Sequence, residues 1–77
     1  MTQDQWREKF RERLLSLLKE SDMSQNQLAK ESGLSSGRIS DYINMRNTPT
    51  PFAIINIAYA LDRNVSDLVD FDERITN

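Results

Sequence analysis

Residues 24–47 read Ser24-Gln25-Asn26-Gln27-Leu28-Ala29-Lys30-Glu31-Ser32-Gly33-Leu34-Ser35-Ser36-Gly37-Arg38-Ile39-Ser40-Asp41-Tyr42-Ile43-Asn44-Met45-Arg46-Asn47. Leu28 and Ala29, then Leu34, Ile39 and Tyr42, give two short segments one apolar stripe each at helical spacing. Ser24 stands three residues ahead of Gln27, a capping-box arrangement that opens a helix over residues 25–32. Gly33 ends that helix, because only glycine turns into the left-handed region without a steric penalty. Ser35 caps a second helix, expected over residues 36–44. The stretch predicts two short helices meeting at a tight turn.

Working outward, Trp6, Phe10, Leu14, Leu17 and Leu18 recur at spacings of three and four and predict an amphipathic helix over 5–20. Its charges, Arg7 to Arg13, read as a solvated face. On the other side, Arg46-Asn47-Thr48-Pro49-Thr50-Pro51 is turn chemistry, with Thr50 as cap and Pro51 at the first helical position, where a missing N–H does no harm. Ile54, Ile57, Ala58 and Leu61 then form a helical stripe, and Asn64 caps a short segment from Val65 to Val69. Five helices result, an all-α fold, with a tail over 71–77 that has no periodicity.

A chain of 77 residues suits one core, and two glycines with two prolines argue against a loop-rich or all-β fold. With no cysteine and no histidine, disulfides are impossible, and any metal would need an all-oxygen ligand set for which no EF-hand-like spacing is present. No metal, cofactor or small-molecule ligand is expected. The longest apolar stretch, Phe52 to Ile55, is broken by Asn56, and Asp4, Arg7 and Glu8 stand where a signal peptide needs an apolar run. A soluble, cytoplasmic protein without a membrane segment is expected.

The net charge of −2 counts against a polyanionic partner, yet its distribution softens the objection. Residues 24–61 hold Lys30, Arg38 and Arg46 against Glu31 and Asp41, whereas residues 62–77 hold five acidic and two basic groups. The acidity therefore gathers in the C-terminal quarter.

Taken together, Leu14, Ser24-Gln25, Leu28-Ala29, Gly33-Leu34-Ser35, Ile39-Ser40, Pro49, Ile57-Ala58, Ala60-Leu61 and Leu68 resemble the Cro and lambda-repressor family of helix-turn-helix proteins, over residues 8–69. The resemblance implies a five-helix, lambda-repressor-like DNA-binding domain over residues 1–70, with 71–77 a tail or linker stump. It also implies a sequence-specific transcriptional regulator of phage or bacterial type. Such a regulator, expected to be a repressor, binds a palindromic operator as a homodimer, with helix 36–44 in the major groove.

Carried over residue by residue, Gln25 resembles the family's phosphate-binding glutamine at a helix N-terminus. Ser36, Gly37, Ser40 and Asp41 match the face that reads bases, and Asn44, Arg46 and Asn47 match the helix exit, where phosphates are contacted. Arg38 lies among these and reaches a guanine edge or a phosphate; with serines giving only single hydrogen bonds, it is expected to be the main bidentate reader. Asp41 accepts from a cytosine amino group and rejects other sequences.

Three departures from the family pattern stand out. Met45 replaces the glycine that usually ends this helix, which predicts either a strained left-handed residue or a differently built turn. Leu18 and Ile43 stand where the family often carries a buried arginine–glutamate pair, a concerted swap that should bring the two side chains into one apolar contact. Phe52, Tyr59, Val69 and Phe71 add apolar area, with Ile55 and Val65 nearby, and form a candidate dimer surface; for Phe52 and Tyr59 local packing against the first helix is the equal alternative.

The rival reading from another class is an acidic protein-interaction module on the same scaffold, bound to another regulator or to a toxin partner. An enzyme is not expected, since no nucleophile–base pair, metal cluster or glycine-rich phosphate loop is visible.

Overall fold

The computed structural model describes residues 1–71, so the expected tail over 71–77 lies, apart from Phe71, outside the described residues. The described chain is five helices and no strand: α1 (Gln3–Glu20), α2 (Gln25–Ser32), α3 (Ser36–Ile43), α4 (Pro51–Ala60) and α5 (Val65–Val69). Helix α1 starts two residues earlier than its apolar spacing predicts. Thr2 and Gln5 close a capping box there, the Thr2 N–H donating to Gln5 Oε1 at 2.8 Å and the Gln5 N–H to Thr2 Oγ1 at 3.2 Å.

The other N-termini follow the sequence. Ser24, Ser35 and Thr50 each accept the N–H three residues on, at 3.1 Å in all three cases. At Asn64 the Asp67 carboxylate reaches back to the cap N–H at 3.1 Å.

The C-termini share a plan that is less obvious from the sequence. Helices α1, α3 and α4 end in left-handed residues that are not glycine: Asp22 (φ 51), Met45 (φ 60) and Asp62 (φ 55). In each, two reversed hydrogen bonds close a Schellman turn. After α3 these are Met45 N–H to Tyr42 O at 3.2 Å and Arg46 N–H to Asp41 O at 2.8 Å. Met45 therefore takes the strained left-handed conformation, and the exit turn keeps its usual hydrogen bonding. Helix α2 instead ends at Gly33 (φ 75).

The apolar stripes converge on one core. Phe10, Leu14, Leu28, Ile39, Ile57 and Leu68 are its largest fully buried side chains, one or more from every helix. Helix α2 packs on both α3 and α4, α1 on α3 and α5, and α4 on α5. Leu18 and Ile43 are both buried in that core, where the related ion pair would lie. Trp6 stacks on Phe10 at 5.4 Å between centroids, which makes it a packing residue and not a platform for bases.

The basic residues of α1 are not the solvated face that their sequence suggests. Arg7 Nε donates to Thr48 Oγ1 at 2.7 Å, and Arg11 Nε to Ile43 O at 2.8 Å. Arg13 donates to Asp67 O at 3.0 Å and Asp70 O at 3.1 Å, satisfying carbonyls at the end of α5. These three arginines fasten α1 to the rest of the fold, and two of them hold the end of α3 and the loop after it.

Candidate nucleic-acid interface

At the start of α2, Ser24 Oγ takes the Gln27 N–H, which leaves the Gln25 and Asn26 N–H groups without a partner among the described residues. Gln25 is exposed beside them. Two backbone donors, a side-chain amide and the positive end of a helix dipole thus face solvent together, the requirements for gripping a phosphate oxygen.

Helix α3 divides cleanly around its axis. At about 100° per residue, Ile39, Tyr42 and Ile43 share one side and are buried, while Ser36, Ser40, Asn44, Gly37 and Asp41 form a polar ridge that starts beside Ile43 at Ser36 and reaches the opposite side at Gly37 and Asp41. Ser36, Gly37 and Asn44 are exposed and Ser40 and Asp41 half-buried, so the ridge is not lost against the molecule. A Cβ built on Gly37 meets only Ser35 Oγ at 3.9 Å, so nothing inside the protein requires a glycine there.

Arg38 borders this ridge beyond Asp41 and is exposed. The same helical phase puts it on the flank next to Tyr42, where it lines a shallow recess with Asn47, Thr48 and Thr50. Its guanidinium has no hydrogen-bond or ion-pair partner among the described residues. A free cation beside the ridge suits a flanking phosphate better than a base edge within the groove.

The exit from α3 is the opposite case. Arg46 Nε donates to Asp41 Oδ1 at 2.8 Å, and Asn47 Nδ2 to Asp41 Oδ2 at 3.2 Å. Arg46 also reaches Ser40 Oγ at 3.2 Å, and Asn44 Nδ2 donates to Ser40 O at 2.8 Å and Ser40 Oγ at 3.1 Å. Two of the expected base readers, Ser40 and Asp41, and three of the expected phosphate contacts, Asn44, Arg46 and Asn47, thus form one network. This follows from the Met45 turn: the left-handed residue folds Arg46 back until its N–H bonds Asp41 O and its side chain meets the same residue.

The members of this network are legible in the sequence, but the connections among them and the supports of α3 are not. Arg7, Arg11 and Thr48 shape the exit from below, and at the other end of α3 buried Ser32 bridges the α2–α3 turn, its Oγ donating to Ala29 O at 3.3 Å and accepting the Leu34 N–H at 3.4 Å. The one available signal is the i, i+4 placement of Arg7 and Arg11, which puts both on a single side of α1.

The expected dimer surface divides. Phe52, Ile55 and Tyr59 lie along one side of α4 with 67%, 55% and 85% of their surface exposed, and Val65 follows at 39%. Val69 and Phe71 instead pack on the core. The Phe71 ring stands edge-on to Trp6 at 5.9 Å, with the Arg13 guanidinium 5.4 Å from its centroid. Val69 packed on the core and Phe71 on Trp6 and Arg13 of α1 do not extend the α4 stripe.

Among the described residues no helix is long and apolar enough to cross a membrane. No curated protein and no solved structure matches the chain. Residues 14–68, well over half of the chain, match the helix-turn-helix family, a segment that runs from the second half of α1 to Leu68. The chain belongs to the helix-turn-helix family of XRE and lambda-repressor type, a family of DNA-binding regulators.

Proposed function

We propose that this protein is a sequence-specific transcriptional repressor of phage or bacterial type, acting in the cytoplasm, with α3 in the major groove of a palindromic operator. The observation that carries this reading is the α3 ridge. It is solvent-facing, small and polar, and it contains a glycine with no internal reason to be one. A bare backbone near the start of α3 lets the helix approach base edges closely, with Ser36, Ser40 and Asp41 supplying contacts.

Gln25 with the α2 N-terminus, and Asn44, Arg46 and Asn47 at the other end, hold the flanking phosphates and fix the register. Arg38 serves a phosphate on the flank. Repression follows from occupying the site that polymerase needs. One domain of this size covers a half-site, so useful affinity calls for two copies on half-sites roughly one helical turn apart. The self-complementary apolar stripe Phe52, Ile55 and Tyr59 is the surface proposed to join them.

The same stripe favours a second reading, an acidic interaction module whose partner is another regulator or a toxin-like protein. Selection from a random duplex pool by the full chain separates the two. A palindromic consensus supports the repressor, and an unenriched pool together with no retained DNA supports the module.

A further inference from the structure

Asp41 occupies a place where a carboxylate is unwelcome, since a duplex seated on α3 brings phosphates close to both sides of it. In the free protein its charge is matched. Oδ1 accepts from Arg46 at 2.8 Å and Oδ2 from Asn47 at 3.2 Å, while 58% of the Arg46 side chain and 31% of the Asp41 side chain stay exposed. Arg46 cannot neutralise a phosphate fully while it serves Asp41, and if it leaves, a carboxylate stands unpaired against DNA.

We propose that Asp41 is a specificity-determining residue that acts through Arg46 by an exchange of partners; the inference rests on the DNA-binding reading above. When the base opposite Asp41 presents an amino group in the major groove, as cytosine does, that N–H replaces Arg46 on the carboxylate. The guanidinium then turns to a phosphate, and both charges are matched. Opposite a base without an amino donor, Arg46 stays on Asp41 and one phosphate contact is forgone. A half-exposed ion pair is weak enough for this exchange to run in either direction. The double hold on Arg46, main-chain N–H on Asp41 O and Nε on Oδ1, keeps the arginine within reach of both partners. Discrimination at that base pair thus comes from how many phosphates are engaged as well as from the base contact itself.

The test is the salt dependence of binding by the full chain, measured by fluorescence anisotropy on two duplexes. One carries the sequence enriched from a random pool, and the other is a scramble of equal length and composition. Each phosphate neutralised adds about 0.9 to the slope of log affinity against log salt. The wild type is expected to show a slope steeper by about 1.8 on the enriched palindromic duplex, one phosphate for each of two copies, or about 12-fold more affinity lost from 50 to 200 mM salt. Asp41→Ala removes the side-chain acceptor and frees the Arg46 guanidinium on every sequence, so the scrambled duplex gains that slope and the difference disappears. Arg46→Ala removes the difference by flattening the enriched duplex. Equal wild-type slopes, or a difference that persists in either variant, would overturn the exchange while leaving DNA binding intact. Absence of binding to both duplexes by all three proteins would overturn the DNA-binding reading itself, and this inference with it.

Discussion

At its N-terminal end α3 carries Ser36, Gly37 and Arg38 exposed and held only by the Ser35 cap, whereas at its C-terminal end Ser40, Asp41, Asn44, Arg46 and Asn47 are tied to one another in a single network. The difference reaches below the surface. Arg11 holds the Ile43 carbonyl and Arg7 holds Thr48, both at the closed end, while the open end receives no α1 arginine among the described residues and is braced only through Ser32 in the turn before it. A surface with its side chains already ordered loses less entropy on binding, so the closed end is suited to setting register, and the open end is left to adapt to the bases.

The largest expected effect comes from undermining the closed end. Ile43→Glu places an unpaired charge in the core and should lower stability by about 3–5 kcal/mol, read from urea denaturation. Adding Leu18→Arg restores a partner and should return part of that loss. If the double variant is no more stable than the single, the two positions do not act as one swapped pair.

A smaller effect is expected at the open end. Arg38→Ala should weaken DNA binding by about 1.5 kcal/mol for each half-site, roughly tenfold, and reduce the salt slope by about one for each copy bound. The loss should be similar across sequences, as befits a phosphate contact. A loss confined to one base pair of the site would return Arg38 to base reading.

Met45→Gly relieves the left-handed strain at φ 60 and should raise stability by about 1 kcal/mol. Gly37→Ala, with open space for its methyl group, should raise stability by about 0.5 kcal/mol through helix propensity. The two ends should then differ. The methyl at position 37 sits on the approach path and should weaken DNA binding several-fold, whereas glycine at position 45 leaves the ridge untouched. Anisotropy titrations beside denaturation curves check both, and unimpaired binding by Gly37→Ala would show that no close approach occurs there.

The open end is the more legible of the two from sequence, and the reason is range. Ser24, Ser35, Thr50 and Pro51 act on groups within a few residues of themselves, so caps and helix starts can be read directly. The first turn of α1, Gln3-Asp4-Gln5, is polar and adds nothing to an apolar period, so the spacing begins too late. Arg11 and Ile43, or Arg13 and Asp67, meet only once the helices have packed, and their spacing in the chain carries no trace of it. Phe52, Tyr59, Val69 and Phe71 look alike as residues. Whether each ends exposed or buried is decided by how α5 and its following residues lie on α1.

The most direct test of α3 as the DNA-reading surface is a titration of the isotope-labelled chain with the enriched duplex, following backbone amide resonances. The largest shifts should fall on Gln25, Asn26, the ridge from Ser36 to Asn44, and Arg46 and Asn47, with Phe52 and Tyr59 changing only as far as pairing of two copies requires. Shifts concentrated on the Phe52–Tyr59 side of α4, with the α3 ridge unmoved, would contradict the account.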